Sequence, residues 1–258
     1  MQNLTINIIQ SDLVWEDVAA NLKAFTKKIK AVKQSDLIVL PETFSTAFSM
    51  NSEHLAEPMN GKTMTWMATM AKEKNTVLAG SAIIRENDHI FNRFIWMRPD
   101  GSFDKYDKRH LFRMGDEHNH FTAGSERLIV ELKGWKICPQ ICYDLRFPVW
   151  SRNKKQEYDL LLYIANWPEV RIPAWEKLLY ARAIENQCYV AGVNRIGIDG
   201  NGVNCSGNSM LIDSKGELIW KAKDLEEETK TVKVSLDDLN GFRKKFPVGM
   251  DADEFEVI

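Results

Sequence analysis

The sequence predicts an α/β fold with mixed strand pairing, organised as one domain over residues 1–258. Three observations carry this expectation. Short, wholly apolar runs such as Leu37-Ile38-Val39-Leu40 suit strands covered on both faces. Between the early runs, apolar residues recur at the spacing of one helix face. Late in the chain, strand-like segments follow one another across turn signals instead. Neither an internal repeat nor a Pro/Gly/Ser-rich linker divides the chain.

Leu4 to Gln10 reads as the first strand. Asp17 to Val32 follows as a helix, because Val18, Leu22, Phe25, Ile29 and Val32 lie alternately four and three residues apart. Leu37 to Leu40 is a buried strand closed by Pro41. Lys62 to Lys74 is helical, with Met64, Met67, Met70 and Ala71 as its stripe. Thr76 to Ile84 is a strand, and Ile90 to Met97 with Ser102 to Tyr106 form a hairpin across Pro99-Asp100-Gly101. Arg109 to Arg127 is polar and too long for a plain connection, which marks it as functional. Leu128 to Leu132 and Trp135 to Cys142 are strands around Gly134. Asp159 to Ala165 is a strand, Ala174 to Asn186 a helix and Tyr189 to Asn194 a strand. Asp199 to Gly202 is a turn. Ser209 to Ile212 and Glu217 to Trp220 flank the turn Asp213 to Gly216, and Thr229 to Val234 is the last strand.

Composition narrows the function. The chain has 34 Lys and Arg against 36 Asp and Glu, a net charge of −2, with no basic stripe, so nucleic-acid binding is not expected. Without an apolar run of about 18 residues, a membrane partner is not expected either. Met1 to Leu13 lacks a basic start and is interrupted by Asp12, which argues against a secretory signal and for a cytoplasmic protein. In that setting Cys138, Cys142, Cys188 and Cys205 read as free thiols.

Three residues draw notice. Glu42 directly follows Pro41 at the C-terminal end of a buried strand, where α/β sheets bind ligands. A partly desolvated carboxylate there suits a general base, and a loop carboxylate with structural partners fits the position as well. Cys142 ends a strand whose Trp135, Ile137, Pro139 and Ile141 share one face and Lys136, Cys138, Gln140 and Cys142 the other. It stands before a turn into Tyr143-Asp144-Leu145-Arg146-Phe147-Pro148, the setting of an exposed nucleophile, although a free cysteine is commonly just a small buried hydrophobe. Pro139 inside that strand suggests an edge or a bulge. Lys108 opens the long polar loop and, taken alone, reads as a solvated lysine.

Together these segments resemble the carbon–nitrogen hydrolase (nitrilase) superfamily. Leu40-Pro41-Glu42-Thr43-Phe44, Tyr106-Asp107-Lys108-Arg109-His110-Leu111-Phe112 and Ile141-Cys142-Tyr143-Asp144-Leu145-Arg146-Phe147-Pro148 match its three motifs in order. Ala181 to Gln187 matches a further segment. The resemblance implies a four-layer αββα sandwich with mixed sheets. It also implies a triad of Glu42 as general base, Lys108 as cationic stabiliser and Cys142 as nucleophile. Glu117, before Phe121-Thr122-Ala123-Gly124, matches a second glutamate that would hold Lys108 and orient the substrate amide.

The chemistry fits these residue types. A thiolate attacks an amide well, and a neighbouring ammonium lowers the thiol pKa. Lys108 and the Tyr143 backbone N–H would hold the oxyanion. No cofactor is required. A metal centre is not expected, because His118 and His120 have no zinc spacing to the cysteines, and Cys138 and Cys142 lie about 13 Å apart along a strand. Lys108 to Glu117 most resembles bacterial omega-amidases, which act on the terminal amide of 2-oxo acids such as 2-oxoglutaramate and 2-oxosuccinamate. Such an anionic substrate calls for an arginine, with Arg146, Arg113 and Arg171 as candidates. Phe44, Phe48 and Trp167 are candidate pocket walls, and core packing fits them equally. Arg182 falls on the apolar stripe of its helix and needs a partner, with Glu185 three residues on. The family often dimerises through this helix, so a homodimer or larger homo-oligomer is expected. Remaining alternatives are an amidase for deaminated glutathione or other carboxylate-bearing amides, an acyltransferase on the same triad, and a non-catalytic binding protein.

Overall fold

In the computed structural model, which describes residues 2–256, β1 (Asn3–Gln10) sends Ile6 and Ile8 to one face and Ile9 to the other, and both faces are buried. Met1, Val257 and Ile258, the ends of the expected domain span, lie outside the described residues. Helix α1 (Val18–Ala31) is started by Asp17, whose side chain accepts the Ala20 N–H at 2.9 Å. Then come β2 (Leu37–Val39), the single turn α2 (Ser52–Leu55), and α3 (Lys62–Lys74), which ends on Asn75 in the left-handed conformation. The strands β3 (Val77–Glu86), β4 (His89–Met97) and β5 (Phe103–Asp107) form an antiparallel meander. The polar stretch after β5 holds a 3-10 turn (Arg113–Gly115) and the single turn α4 (Glu117–His120).

The second half repeats the theme. It runs β6 (Val130–Leu132), β7 (Trp135–Ile141), the single turn α5 (Pro148–Ser151), β8 (Leu160–Ala165), α6 (Ile172–Asn186) and β9 (Tyr189–Asn194). A small hairpin, β10 (Ile196–Ile198) and β11 (Asn204–Ser206), precedes β12 (Met210–Ile212) and β13 (Leu218–Lys221). β14 (Glu228–Ser235) and α7 (Leu236–Lys245) complete it.

Two six-stranded mixed sheets result, ordered β14-β1-β2-β3-β4-β5 and β13-β12-β9-β8-β7-β6. Each has a parallel central triple, β1-β2-β3 and β7-β8-β9, flanked by antiparallel strands. The sheets pack face to face, with Ile6, Val39 and Trp96 of one against Ile137, Leu162 and Ala191 of the other. Helices α1 and α3 cover the outer face of the first sheet through Phe25, Ile29 and Met67, and α6 covers the second through Trp175 and Leu179. This is the four-layer αββα sandwich that the resemblance implies. Both faces of β2 are covered, which is why its run is apolar throughout.

Two local readings change, the end of β7 and the helix after β14, and two hold, the edge at Pro139 and the pairing of Arg182. Strand β7 ends at Ile141, and Cys142 instead opens a 3-10 turn (Cys142–Arg146). Pro139 lies beyond the β6 pairing, which reaches only Ile137, so β7 is an edge there and the missing N–H costs no ladder bond on that side. Helix α7 was not expected from the sequence. Arg182 is buried and pairs with Glu185 at 2.8 Å, and it also donates to the Leu145 carbonyl at 2.6 Å, a structural clamp between α6 and the turn after Cys142.

The parallel triples aim several strand ends at one region. Glu42 follows β2, Cys142 follows β7, Asn166 follows β8 and Arg195 follows β9.

Candidate active site

Glu42 is fully buried three residues past Val39, the last residue of β2. The next residue, Thr43, has φ of +41°, an unusual conformation for a β-branched side chain, and is held by its N–H bond to Ser81 Oγ at 2.8 Å. Oε1 of Glu42 accepts from Asn92 Nδ2 at 2.8 Å and from Lys108 Nζ at 2.9 Å, and Oε2 accepts the Asn166 N–H at 2.8 Å. Asn166 Nδ2 also donates to the Glu42 carbonyl at 2.7 Å, tying the ends of β2 and β8 together across the two sheets.

Lys108 Nζ donates to Glu42 and, at 3.0 Å, to Oε1 of Glu117, and all three side chains are 0% exposed. Oε2 of Glu117 accepts the Phe112 N–H at 2.6 Å. The Lys108 backbone is clamped as well: its N–H donates to Asn92, and its carbonyl accepts the Gly124 N–H at 3.0 Å. A Cβ on Gly124 would stand 2.2 Å from the Asp107 carbonyl oxygen, so the Phe121-x-x-Gly124 pattern requires glycine for this close approach.

Cys142 has φ of +44°, a strained turn between strand and 3-10 helix that presents the side chain outward. Asp144 braces the turn. Its Oδ2 accepts the Ile141 N–H at 3.0 Å and the Tyr106 hydroxyl at 2.6 Å, and its Oδ1 accepts the His110 N–H at 3.0 Å. The His110 ring, stacked on Phe147 at 3.7 Å, places Nδ1 2.8 Å from the same Oδ1.

The Lys108 ammonium lowers the Cys142 thiol pKa as expected, but it is outweighed. Burial pushes the Cys142 thiol well above its usual range, the Glu42 carboxylate adds to this, and Lys108 only partly opposes it. The ammonium therefore does not produce a resting thiolate. Burial works against the charge on Lys108, yet Glu117 and Glu42 outweigh it and raise its pKa, so the ammonium stays charged. Burial raises Glu117, Lys108 opposes this, and Glu42 reinforces it. Among the free cysteines Cys138 and Cys205 are pushed by burial up to about 12, and Cys188 is raised too.

A cavity of about 540 Å³ opens onto this cluster. Lys108 and Cys142 line it, as do Tyr143, Arg146, Phe48, Trp167 and Arg171 among the residues expected from sequence. Arg113 does not. It sits exposed on its 3-10 turn, where closeness to Lys108 in sequence does not bring it to the cavity. Phe44 is core, edge-on to Phe25 at 5.6 Å. Sequence reasoning missed Asn92, Asn166, Arg195 and Cys205. Asn166 and Arg195 follow strand ends, so the rule that flagged Glu42 reaches them also. Asn92 lies inside β4 with no local signal. Among the described residues no group of three metal-ligating side chains occurs.

A model of carbon–nitrogen hydrolases matches residues 5–244. The chain belongs to the carbon–nitrogen hydrolase family. Within that family it is 46% identical, over 100% of both chains, to the omega-amidase YafV of Yersinia enterocolitica. It is 34% identical to the 2-oxoglutaramate amidase of Bacillus subtilis (strain 168), over 95% of each. The crystal structure of a carbon–nitrogen hydrolase superfamily protein from Xanthomonas campestris, which carries an arsenic adduct in its active site, superposes with a TM-score of 0.97 at 43% identity, covering 100% of both chains.

Proposed function

We propose that this hydrolase releases ammonia from the terminal amide of small 2-oxo acid amides, 2-oxoglutaramate and 2-oxosuccinamate among them, through a thioester on Cys142. The observation that supports this most is the fully buried Glu42–Lys108–Glu117 cluster beside the Cys142 thiol in one cavity. The choice of amide rests on the omega-amidase and 2-oxoglutaramate amidase relatives.

Because the resting thiol is protonated, Glu42 takes its proton as sulfur attacks the amide carbon. An ammonium has three donors. Two of those on Lys108 hold Glu42 and Glu117, and the third serves the oxyanion together with the Tyr143 N–H in the first turn after Cys142. Glu42 returns the proton to the leaving nitrogen, and ammonia departs. Glu42 next deprotonates water, which cleaves the thioester to free acid and thiol. Glu117 keeps Lys108 in place, and no cofactor takes part.

Ammonia release from a panel of 2-oxo acid amides, glutamine, asparagine and a nitrile, with Cys142→Ala as control, tests this. No activity on any 2-oxo amide overturns the substrate. Full turnover by Cys142→Ala overturns the mechanism. The exposed apolar Met114 and Val170 at the cavity wall favour a second reading, a longer carboxylate-bearing amide such as deaminated glutathione, and product analysis also separates hydrolysis from acyl transfer. A single domain over 1–258, a cytoplasmic location and a homodimer belong to the same reading. Exposed Val149 on α5 and Ile184 on α6 offer apolar surface for the pairing, and a monomeric mass by light scattering would count against it.

A further inference from the structure

We propose that Asn92 is a positioning residue for the proton transfers: its side-chain nitrogen, shared between Glu42 and Glu117, keeps Glu42 proton-free and ready to act as base. This rests on the amidase reading and says what lets two carboxylates share one buried site.

Asn92 breaks the pattern of its strand. Phe94 and Trp96 follow on the same face of β4 and fill the core between the sheets. The position two residues before Phe94 is a buried amide instead. Its Nδ2 donates to Oε1 of Glu42 at 2.8 Å and, at 3.4 Å, to Oε1 of Glu117. Lys108 Nζ donates to the same two oxygens at 2.9 and 3.0 Å. Two carboxylate oxygens are thus caught between two nitrogens, one charged and one neutral. Packing alone does not account for the amide. Its Oδ1 is buried and has no hydrogen-bond partner. Such an orphaned acceptor costs stability, and a leucine of nearly the same shape would avoid it. The Asn92 carbonyl accepts the Lys108 N–H at 3.0 Å, a backbone bond that any residue at this position supplies. What the side chain adds is a donor to the carboxylates.

Two carboxylates this close favour sharing a proton unless donors hold both in the ionised form. Lys108 from the end of β5 brings one positive charge against two negative ones. The other titratable groups facing the pair are Cys142, from the turn after β7, and Cys205, from β11. Neither thiol neutralises the second carboxylate, so neutral donors carry that task. For Glu42 these are Asn92 Nδ2 and the Asn166 N–H, and for Glu117 the Phe112 N–H. The shared donor is not shared equally. It sits 0.6 Å closer to Glu42, at 2.8 against 3.4 Å, and a hydrogen bond to the ionised form favours that form. A proton taken up by the pair therefore falls on Glu117 first, and Glu42 stays able to receive the one from Cys142. Burial and the charge of Glu42 both raise Glu117, in the same sense.

The test follows kcat/KM for 2-oxoglutaramate against pH in the natural protein, Asn92→Leu and Asn92→Asp, with folding checked by thermal melting. Losing a hydrogen bond to a charged group moves the acid limb of the Asn92→Leu profile up by about 1 to 2 pH units. Below that limb the rate falls about 10- to 100-fold, and above it the variant recovers to within about threefold of the natural protein. Its melting temperature stays within about 4 °C. Asn92→Asp moves the limb further, because a third carboxylate stands where the donor was. A loss of equal size at every pH, with the limb in place, makes Asn92 merely structural and overturns the proposal, as does an unchanged profile. Difference infrared spectra over the same pH range need no turnover, with Glu42→Gln and Glu117→Gln assigning the protonated carboxyl band. The first proton should appear on Glu117 in the natural protein and move to Glu42 in Asn92→Leu. A first proton on Glu42 in the natural protein overturns the proposal. If no amide is hydrolysed, the amidase reading fails, and the place of that proton still decides what Asn92 does.

Discussion

Lys108 and Arg243 are both buried cations held by hydrogen bonds, and they are used in opposite ways. Arg243 gives Nη1 to Asp159 at 2.7 Å, Nε to the Gln187 carbonyl at 2.9 Å and Nη2 to the Tyr158 carbonyl at 2.7 Å. The other Asp159 oxygen accepts the Lys136 N–H at 3.0 Å. One charge meets one charge, carbonyls take the rest, and α7 is pinned to the starts of β8 and β9. Around Lys108 one cation faces two carboxylates, all three fully buried, and a thiol that reaches the cavity. Burial and the second carboxylate hold Glu117 above the usual carboxylate range. The balanced cluster has nothing left to give up. The unbalanced one shifts its groups away from their ordinary proton affinities, an arrangement suited to chemistry that moves a proton in each step.

Glu42→Gln breaks the comparison most directly. Losing a general base lowers the rate about 100- to 10,000-fold, while removing the surplus charge leaves unfolding stability within about 1 kcal/mol. Steady-state kinetics and urea unfolding on the same sample check both. A large stability loss would place Glu42 with Arg243 as a structural group. Arg243→Met does the reverse, leaving Asp159 unpaired at a cost of about 3–5 kcal/mol with kcat per folded molecule unchanged. Lys108→Met removes an oxyanion donor and lowers kcat about 100- to 1,000-fold. An intact rate would leave Lys108 as an electrostatic prop alone.

The contrast between the clusters also explains what could be read in advance. The proposed Glu42, Lys108 and Cys142 were legible because each stands just past a strand and within a family motif, whereas Glu117 was legible through the family resemblance alone. Helix α3 was legible to the residue because four apolar positions make its stripe. Helix α7 was not, because its buried face joins Leu236 and Leu239 to Arg243, a charge that no periodicity rule counts as core, and Gly241 weakens the helical signal. Its one legible sign is Ser235, whose hydroxyl accepts the Asp238 N–H at 3.2 Å. Asn92 was hidden for another reason. From mid-strand its side chain donates to Glu42 and its carbonyl accepts the Lys108 N–H, and only the register of β4 in the folded sheet brings it there. Arg113 misled because nearness to Lys108 along the chain was taken for nearness in space.

The finest test changes a slope with pH rather than a rate constant at one pH. Cys138 and Cys142 sit on one strand and just past its end. Cys138 is wholly buried and pushed up to about 12, so it resists alkylation until the protein unfolds. Cys142 reaches the cavity, but its thiol is also raised, by burial first and by Glu42 second. A raised thiol is protonated at neutral pH, and its thiolate fraction grows as pH rises. The iodoacetamide rate at Cys142 should therefore climb from neutral into alkaline pH without a plateau near neutrality. Glu42→Gln removes a carboxylate that raises the thiol while Lys108 continues to lower it. Alkylation at pH 8 should then be faster than in the natural protein, although turnover is lost. A plateau near neutral pH in the natural protein would mean that Lys108 already holds a thiolate, and Glu42 would then have no proton to take from sulfur.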